Sequence, residues 1–189
     1  MAGDDAWKAD WAAVVAQIGE DFSDGAVHYG VDRVERGAIR RYLEPLEFDC
    51  PLHYDPEVAA AHGHAGVTAP YTATVTFAMG PVWAPGESVF TSAERDAQPA
   101  RVSVKPRMPR GAPPTTGYFA TDMEVEFIRP VVEGERVGRR GNRLIACKPK
   151  ETRVGRGAFL TFEGEMVDER GEVVVRSRHT LFVYNPHQA

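Results

Sequence analysis

The hydrophobic residues follow two different periods along the chain. In the first half they recur at helical spacing, beginning with an apolar stripe on a predicted N-terminal helix at about residues 4–19. The stripe consists of Trp7, Trp11, Val14, Val15 and Ile18. In the second half the period is two, as in the segment DMEVEFI, where Met123, Val125 and Phe127 alternate with acidic residues. This alternation predicts a strand with one face in solvent.

Two more helices are predicted in the first half. One covers residues 33–43 and ends before Pro45, because proline disfavours helix in the residue that precedes it. The other is the short segment PEVAAAHG, which begins at Pro56 with Asp55 as its N-cap. Residues 67–83, VTAPYTATVTFAMGPVW, are rich in Val and Thr, which favours a strand, but Pro70 suits the first turn of a helix equally well. On the pattern alone, both interpretations of this segment stay open.

The second half predicts an antiparallel meander. Strands are predicted at residues 122–128, 137–148, 158–168 and 172–184, and the last two are joined by the turn DERG, which ends at Gly171. Residues 84–117 are dense in Pro, Gly, Ser and Thr, which predicts a long mid-chain loop. Helices followed by a meander predict an α+β fold. For a chain of 189 residues we expect a single domain over residues 1–189.

Composition and charge exclude several classes of protein. The hydrophobic share of 43% is sufficient for a packed core, and the net charge of −5 argues against a general nucleic-acid binder. No apolar run approaches the ~18 residues of a membrane helix, and the acidic start MAGDDAWKAD differs from a signal peptide. Cys50 and Cys147 form no disulfide framework. We therefore expect a cytoplasmic protein that binds neither nucleic acid nor membrane.

A resemblance to a known family adds to this picture. The segment RGAIRRYLEPLEFDCPLHYDPEVAAAHGHAGVTAPYTA resembles the N-terminal half of MaoC-like dehydratases, which have a hot-dog fold. The segments FATDMEVEFIRPVVEGERVG and TRVGRGAFLTFEGEMVDERGEVV are similar to the same family. The resemblance covers residues 34–184, least well at residues 87–113. It implies a single hot-dog fold in which residues 71–79 form a long central helix wrapped by the antiparallel sheet.

The resemblance also implies a chemistry. Active members of the family add or remove water across the double bond of an enoyl thioester, usually of coenzyme A. Their signature resembles Gly-Asp-x-Asn-Pro-x-His, because an Asp/His pair on one loop can share the two proton transfers around one water. The thioester oxygen gains charge in the transition state and needs backbone N–H donors, one of which is a glycine at the start of the central helix. No cofactor is implied, because coenzyme A is part of the substrate.

The signature loop of this chain, FDCPLHYD, keeps only part of that pattern. Residues 51–53, Pro-Leu-His, match Pro-x-His, but Cys50 stands at the position of the asparagine. Phe48 stands at the position of the aspartate, and Asp49 comes one residue late. By the resemblance, the candidate catalytic residues are His53 and Asp49, and Cys50 and Phe48 are candidate substrate-binding residues.

The start of the predicted central helix is altered as well. Active members have His-Gly there, and this chain has Ala69-Pro70. Proline has no N–H to donate, so the nearest remaining donor is the N–H of Tyr71, which becomes a third candidate substrate-binding residue. Two separate parts of the machinery therefore differ from the family pattern.

These departures decide the leading hypothesis. They are typical of the half of a double hot-dog pair that shapes the acyl pocket while its partner carries catalysis. We therefore expect an acyl-CoA-binding, catalytically degenerate subunit of an enoyl-CoA hydratase/3-hydroxyacyl-CoA dehydratase, in fatty acid or steroid metabolism. Its expected partners are an acyl-CoA thioester and a second hot-dog subunit, in a homodimer or a heteromer.

Three alternatives stay open. In the first, the chain is an enoyl-CoA hydratase that is active by itself through Asp49 and His53. In the second it is a hot-dog thioesterase, and in the third it is a module that binds acyl-CoA and catalyses no reaction. A thioesterase would need a carboxylate on the central helix, and residues 71–79 contain none.

A basic segment has two interpretations. Residues 129–156 hold nine Lys/Arg and three Glu in an otherwise acidic protein. Arg101, Lys105, Arg107 and Arg110 lie in the mid-chain loop. These charges provide a landing site for the phosphates of coenzyme A, or they belong to a solvated sheet edge that resists aggregation.

Three histidines raise the question of a metal site. His62 and His64 lie close to His53 in the sequence, but Gly63 leaves the first two without a fixed helical spacing. No carboxylate or thiol stands at a ligand offset from them, so no metal site is expected.

Overall fold

The first half of the chain forms short helices. The computed structural model describes residues 5–81, 83–98, 100 and 108–187. A 3-10 helix, Ala6–Trp11, leads into helix α1, Ala12–Val15. Three further helices are α2, Arg36–Leu43, α3, Pro56–Ala61, and α4, Thr74–Phe77. Short 3-10 helices lie at Glu44–Leu46, Pro51–His53 and Tyr71–Ala73.

The second half supplies nearly all of one antiparallel sheet, with strand order β1-β3-β4-β5-β2. The strands are β1, His28–Tyr29, β2, Gly117–Phe127, β3, Gly138–Thr152, β4, Gly155–Val167, and β5, Val173–Pro186. The turn between β4 and β5 ends at Gly171, whose φ of 82° is a left-handed conformation that favours glycine. The predicted antiparallel meander is confirmed for β3, β4 and β5, whereas β2 lies beside β5 and not beside β3, so it is not part of the meander. The described residues between 83 and 116 contain no helix and no strand.

Alternation along β4 and β5 places two clusters of buried side chains on one face of the sheet, while Phe182 is buried on the other face, where it stacks on Phe159. At one end, Leu160, Phe162 and Val183 pack against Trp11 and Val14 of the N-terminal helices. At the other end, α2 and the segment 71–78 cover the face. The main buried side chains there are Ile39, Leu43, Ala73, Phe77, Met166 and Val175. Each fully buried Leu or Ile contributes roughly 1.5–3 kcal/mol, so these helices are held by packing on the sheet.

The long central helix expected from the resemblance is not present. The 3-10 helix Tyr71–Ala73 and α4, Thr74–Phe77, give one short helical segment, and Met79 beyond it is exposed. The segment contains several β-branched residues, which are weak helix formers, and Gly80-Pro81 follows it. The expectation of a long helix over residues 71–79 is therefore wrong, although a helix and not a strand does follow Pro70.

Among the residues that the structure describes, no helix has both the length and the apolar character needed to cross a bilayer.

Candidate functional site

The loop that carries the altered signature is fixed at both of its ends. Ahead of it, the Tyr54 hydroxyl donates to the Phe48 carbonyl over 2.8 Å, and the His53 N–H donates to the Cys50 carbonyl over 3.1 Å. Behind it, the Asp55 side chain accepts from the first N–H groups of α3 at 2.8 and 3.3 Å. The predicted N-cap is confirmed. Because its neighbours are pinned, the imidazole of His53 has a defined position.

His53 is oriented by a hydrogen bond to the segment before α4. Its Nδ1 lies 2.7 Å from the carbonyl oxygen of Thr68, which is buried with 2% exposure. A carbonyl oxygen only accepts, so Nδ1 carries the proton and Nε2 of the neutral ring carries the lone pair. The Thr68 hydroxyl lies 3.2 Å from Nδ1 and donates to the Leu52 carbonyl, which ties the two segments together. The ring is therefore set in the tautomer that offers a base or hydrogen-bond acceptor at Nε2.

A cavity of about 350 Å³ opens at this ring. Its walls combine the signature loop with the start of the segment 71–77. The residues that matter for its chemistry are Phe48, His53, His64, Thr68, Pro70 and Tyr71. Most of this lining is apolar, and its ionisable residues are His53, His64 and Tyr71, which suits a mainly apolar ligand with a polar centre.

Phe48 occupies the side of His53 where the resemblance places a catalytic aspartate. The two rings have centroids 5.7 Å apart at an angle of 42°. Asp49 is exposed and lines a separate, neighbouring cavity of about 520 Å³, together with Glu44, Glu47 and other residues of the loop. Phe48 lines both cavities. The structure thus brings Phe48, His53 and Tyr71 to one cavity and places Asp49 in the next.

The beginning of the segment 71–77 lacks one donor. Pro70 has φ −59° and ψ 141° and precedes the first helical residue, Tyr71. The ring of Tyr71 packs on Phe127 with centroids 5.0 Å apart. Its N–H is the first in the segment and has no intrahelical acceptor, because the first N–H groups of a helix never do.

Of the other candidate residues, Cys50 and His62 lie outside the cavity and His64 lines it. Cys50 is half-buried and is absent from the described lining of either cavity. His62 has its Nδ1 2.9 Å from the Val58 carbonyl, at the end of α3. His64 does line the cavity beside His53, a position that was not predicted. Within the described ranges, no group of three or more His, Cys, Asp or Glu side chains could hold a metal ion.

The basic segment is partly neutralised by ion pairs on the sheet. Four of its arginines pair with carboxylates: Arg129, Arg140, Arg143 and Arg156. Arg139, Lys148 and Lys150 form no ion pair with a described carboxylate. Arg101, Lys105 and Arg107 lie outside the described residues, so the prediction of a coenzyme A landing site stays a prediction.

A comparison with protein families identifies the chain. The model of a family described as "FAS1-like, dehydratase domain region" matches residues 16–177. The chain belongs to this family. The match covers the signature loop, the segment 71–77 and nearly all of the sheet.

Two curated proteins are similar to this FAS1-like dehydratase-region chain. A protein of Thermomonospora curvata named "Probable enoyl-CoA hydratase alpha subunit" is 28% identical over 186 residues, which cover 98% of this chain and 54% of the relative. The chain thus spans about half the length of that relative. A "UPF0336 protein" of Clavibacter michiganensis is 29% identical over 150 residues, which cover 79% of this chain and 84% of the relative.

Solved structures share the fold. The ChsH1-ChsH2 complex from Mycobacterium tuberculosis includes a chain with a TM-score of 0.65 and 19% identity, over 96% of this chain and 98% of that one. A MaoC-like dehydratase from Rhodospirillum rubrum has a TM-score of 0.52 and 23% identity, over 90% and 94%. The expected hot-dog fold and the resemblance to MaoC-like dehydratases are confirmed.

Proposed function

We propose that this chain is the acyl-CoA-binding hot-dog subunit of an enoyl-CoA hydratase or 3-hydroxyacyl-CoA dehydratase, and that a second hot-dog subunit supplies catalysis. The family and the name of the Thermomonospora relative support the reaction class. The mainly apolar cavity at His53 supports an acyl ligand.

One observation carries the division of labour. Hydration of an enoyl thioester needs a base for the attacking water and a proton for the α-carbon. In this cavity His53 has an aromatic ring, Phe48, beside it, and the nearby carboxylate of Asp49 lines a different cavity. A single imidazole without its carboxylate is a poor replacement for the pair.

The altered helix start also argues against catalysis by this chain. A backbone donor to a developing oxyanion contributes about 3 kcal/mol in comparable sites, and Pro70 cannot supply one. The Tyr71 N–H, one residue later, would bind the thioester oxygen from a different direction. The cavity is therefore better suited to holding the acyl thioester than to transforming it.

A second hot-dog subunit is supported by the similar structures. ChsH1-ChsH2 is a complex of two named chains, and the HadBC dehydratase of Mycobacterium tuberculosis, with a TM-score of 0.51 and 16% identity, is another. The chain's own open sheet edge at β2 offers a place for such a partner.

Restoring the missing carboxylate tests the proposal. Phe48→Asp places a carboxylate five residues before His53, where the family has one, and we expect crotonyl-CoA hydration by the isolated chain to rise at least about tenfold. General acid–base catalysis contributes about 10²–10⁴-fold when well placed, so tenfold allows for imperfect geometry. Phe48→Asn is the matched control, with the same shape and no base, and should show no gain.

Robust activity of the isolated chain would contradict the proposal. If the wild-type chain alone hydrates crotonyl-CoA robustly, and Asp49→Ala abolishes this activity in a folded protein, the chain is a self-sufficient hydratase. The degenerate role would then be wrong.

A further inference from the structure

Strand β2 is an open edge of the sheet. Its backbone pairs with β5 along residues 117–127, and no other described residue hydrogen-bonds to it. It also presents exposed apolar side chains: Tyr118, Phe119 and Met123 are 44%, 42% and 59% exposed. A long edge strand with exposed apolar residues is a template for pairing with another strand.

The opposite edge of the sheet is partly covered by other segments of the chain, whereas β2 is open. Residues 19–22 hydrogen-bond to β3 at Leu144 and Asn142, and β1 pairs with the start of β3. Further along, Pro149 removes one donor from β3. Of the two outer edges, β2 therefore has the longer continuous row of backbone groups for a partner.

The solvent face of the sheet carries two rows of charge whose sign alternates from strand to strand. The first row runs from Arg143 on β3 to Glu163 on β4, over 2.6 Å, and on to Arg178 on β5, over 2.9 Å. It ends at Glu124 on β2, 3.5 Å from Arg178.

The second row has the same order of signs. Arg140 on β3 lies 2.7 Å from Glu165 on β4, and Arg176 on β5 lies 3.7 Å from Glu165. The row ends at Glu126 on β2, 3.3 Å from Arg176. Each opposite-charge neighbour across the strands stabilises its pair, so the alternation is a consistent cross-strand pattern.

Both rows stop at a negative charge on the open edge. Glu124 and Glu126 have side-chain exposures of 75% and 62%, and Asp122, next on the same face of β2, is exposed too. The pattern is continued by a positive charge on the next strand and broken by a negative one.

A second copy of the chain would break it. When two copies pair through the same strand about a two-fold axis, the strands run antiparallel. The residue numbers of each directly opposed pair then add up to the same sum along a regular ladder. Acidic residues occupy positions 122, 124 and 126, so every in-face register that pairs this segment with itself sets carboxylates directly opposite one another. Registers centred nearer the start of β2 avoid this opposition, but they set the acidic positions against residues 114–120, which contain no Lys or Arg, so the charge alternation is not continued there either. The irregularity between Ala120 and Asp122 also interrupts the regular spacing of the strand at that point.

We propose that the β2 edge selects its partner by charge: it disfavours self-pairing and takes an edge strand that presents Lys or Arg at alternate positions on the solvent face. This inference rests on the proposed function in one respect, the existence of a second hot-dog subunit. Complementary charges across an interface fix the register and suppress wrong partners through like-charge repulsion.

A charge-reversed copy of the same chain is the probe. The variant Asp122→Lys/Glu124→Lys/Glu126→Lys carries a basic β2 on an otherwise unchanged fold. We expect wild type and variant, mixed at equal concentration and low salt, to form a mixed dimer with a Kd at least about tenfold lower than that of either self-dimer. Sedimentation velocity measures the association, and amide exchange should show new protection on residues 117–127. The difference should shrink at high salt, where charges are screened within a few ångströms.

Two further proteins make the result interpretable. The variant Asp32→Lys/Glu94→Lys/Asp96→Lys makes the same change in net charge at exposed positions away from the sheet, and should form no mixed dimer above the wild-type level. If the basic β2 variant does not fold, Asp122→Asn/Glu124→Gln/Glu126→Gln still tests the idea, because removing the repulsion should strengthen self-association at least about threefold.

The outcomes separate this inference from the proposed function. A tight wild-type self-dimer through β2 at low salt, or failure of both variants to change association, overturns charge selection at this edge. Neither result bears on acyl-CoA binding or on the Phe48→Asp gain. Conversely, a mixed dimer that forms while Phe48→Asp gains nothing leaves the inference intact and counts against the proposed reaction.

Discussion

The hydrogen bond from His53 to Thr68 makes separate predictions for stability and for the site. His53→Ala removes the donor and leaves the buried Thr68 carbonyl without its 2.7 Å partner. An unsatisfied buried acceptor costs about 1–3 kcal/mol, a large part of the roughly 5–15 kcal/mol that stabilises a domain. At about 2–4 °C per kcal/mol for a chain of this size, the midpoint of thermal unfolding should fall by about 2–12 °C.

His53→Asn separates the two nitrogens of the ring. The asparagine Nδ2 replaces Nδ1 and can still donate to Thr68, but nothing replaces Nε2 in the cavity. We expect the free energy of unfolding of this variant to lie within about 1 kcal/mol of the wild-type value. We expect His53→Ala and His53→Asn to lower the affinity for crotonyl-CoA to the same extent, because both lack Nε2. Urea unfolding followed by tryptophan fluorescence, with calorimetric titration of the ligand, measures both quantities. If His53→Asn is as unstable as His53→Ala, the Nδ1 bond does not hold the ring, and the assigned tautomer is wrong.

Three other properties follow from the structure. Burial raises the pKa of the Cys147 thiol to about 11, so a thiol reagent should modify the half-buried Cys50 in the native protein and reach Cys147 only on unfolding. Burial by itself would raise the pKa of Asp168, but two backbone N–H groups and the Arg129 guanidinium outweigh it and hold that pKa below its usual 3.8. This carboxylate therefore stabilises the fold above about pH 4, and its contribution is lost as the pH falls through its lowered pKa. In the Asp168→Asn variant, the free energy of unfolding measured in urea should decrease less between about pH 5 and pH 2 than it does in the wild type. If the basic segment binds coenzyme A phosphates, the affinity for crotonyl-CoA should fall steeply with salt, because exposed charges are screened within about 8 Å at physiological ionic strength; a salt-independent affinity would leave the segment as a surface feature.

The sheet was predictable because its determinants are local. Period-two alternation and the turn DERG indicate the positions of the strands and of the hairpin. The register of β4 and β5 was not predictable from the turn, because it shifts by one residue between Met166 and Val167. The cap at Asp55 was predictable for the same reason. The length of the central helix was not, because the expectation came from a resemblance, while the β-branched residues and Gly80-Pro81 of this chain act against a long helix.

The candidate site was only partly predictable. His53, Phe48 and Tyr71 do meet at one cavity, as a loop beside a helix start allows. No sequence pattern indicated that Asp49 lines a separate cavity, nor that Glu47, a non-glycine residue, has a φ of 50°. Thr68 and His64 were also missed. The position of Thr68 just before the expected helix start was a signal that it could lie near the site. His64 was considered only as a metal ligand, although its closeness to His53 in the sequence was a signal as well.

The hydration of crotonyl-CoA by the purified chain alone tests the central claim most directly. The proposed role predicts that the chain binds crotonyl-CoA but turns it over no faster than its folded Asp49→Ala variant does. Robust turnover by the wild-type chain, lost in a folded Asp49→Ala or His53→Ala variant, would contradict the claim.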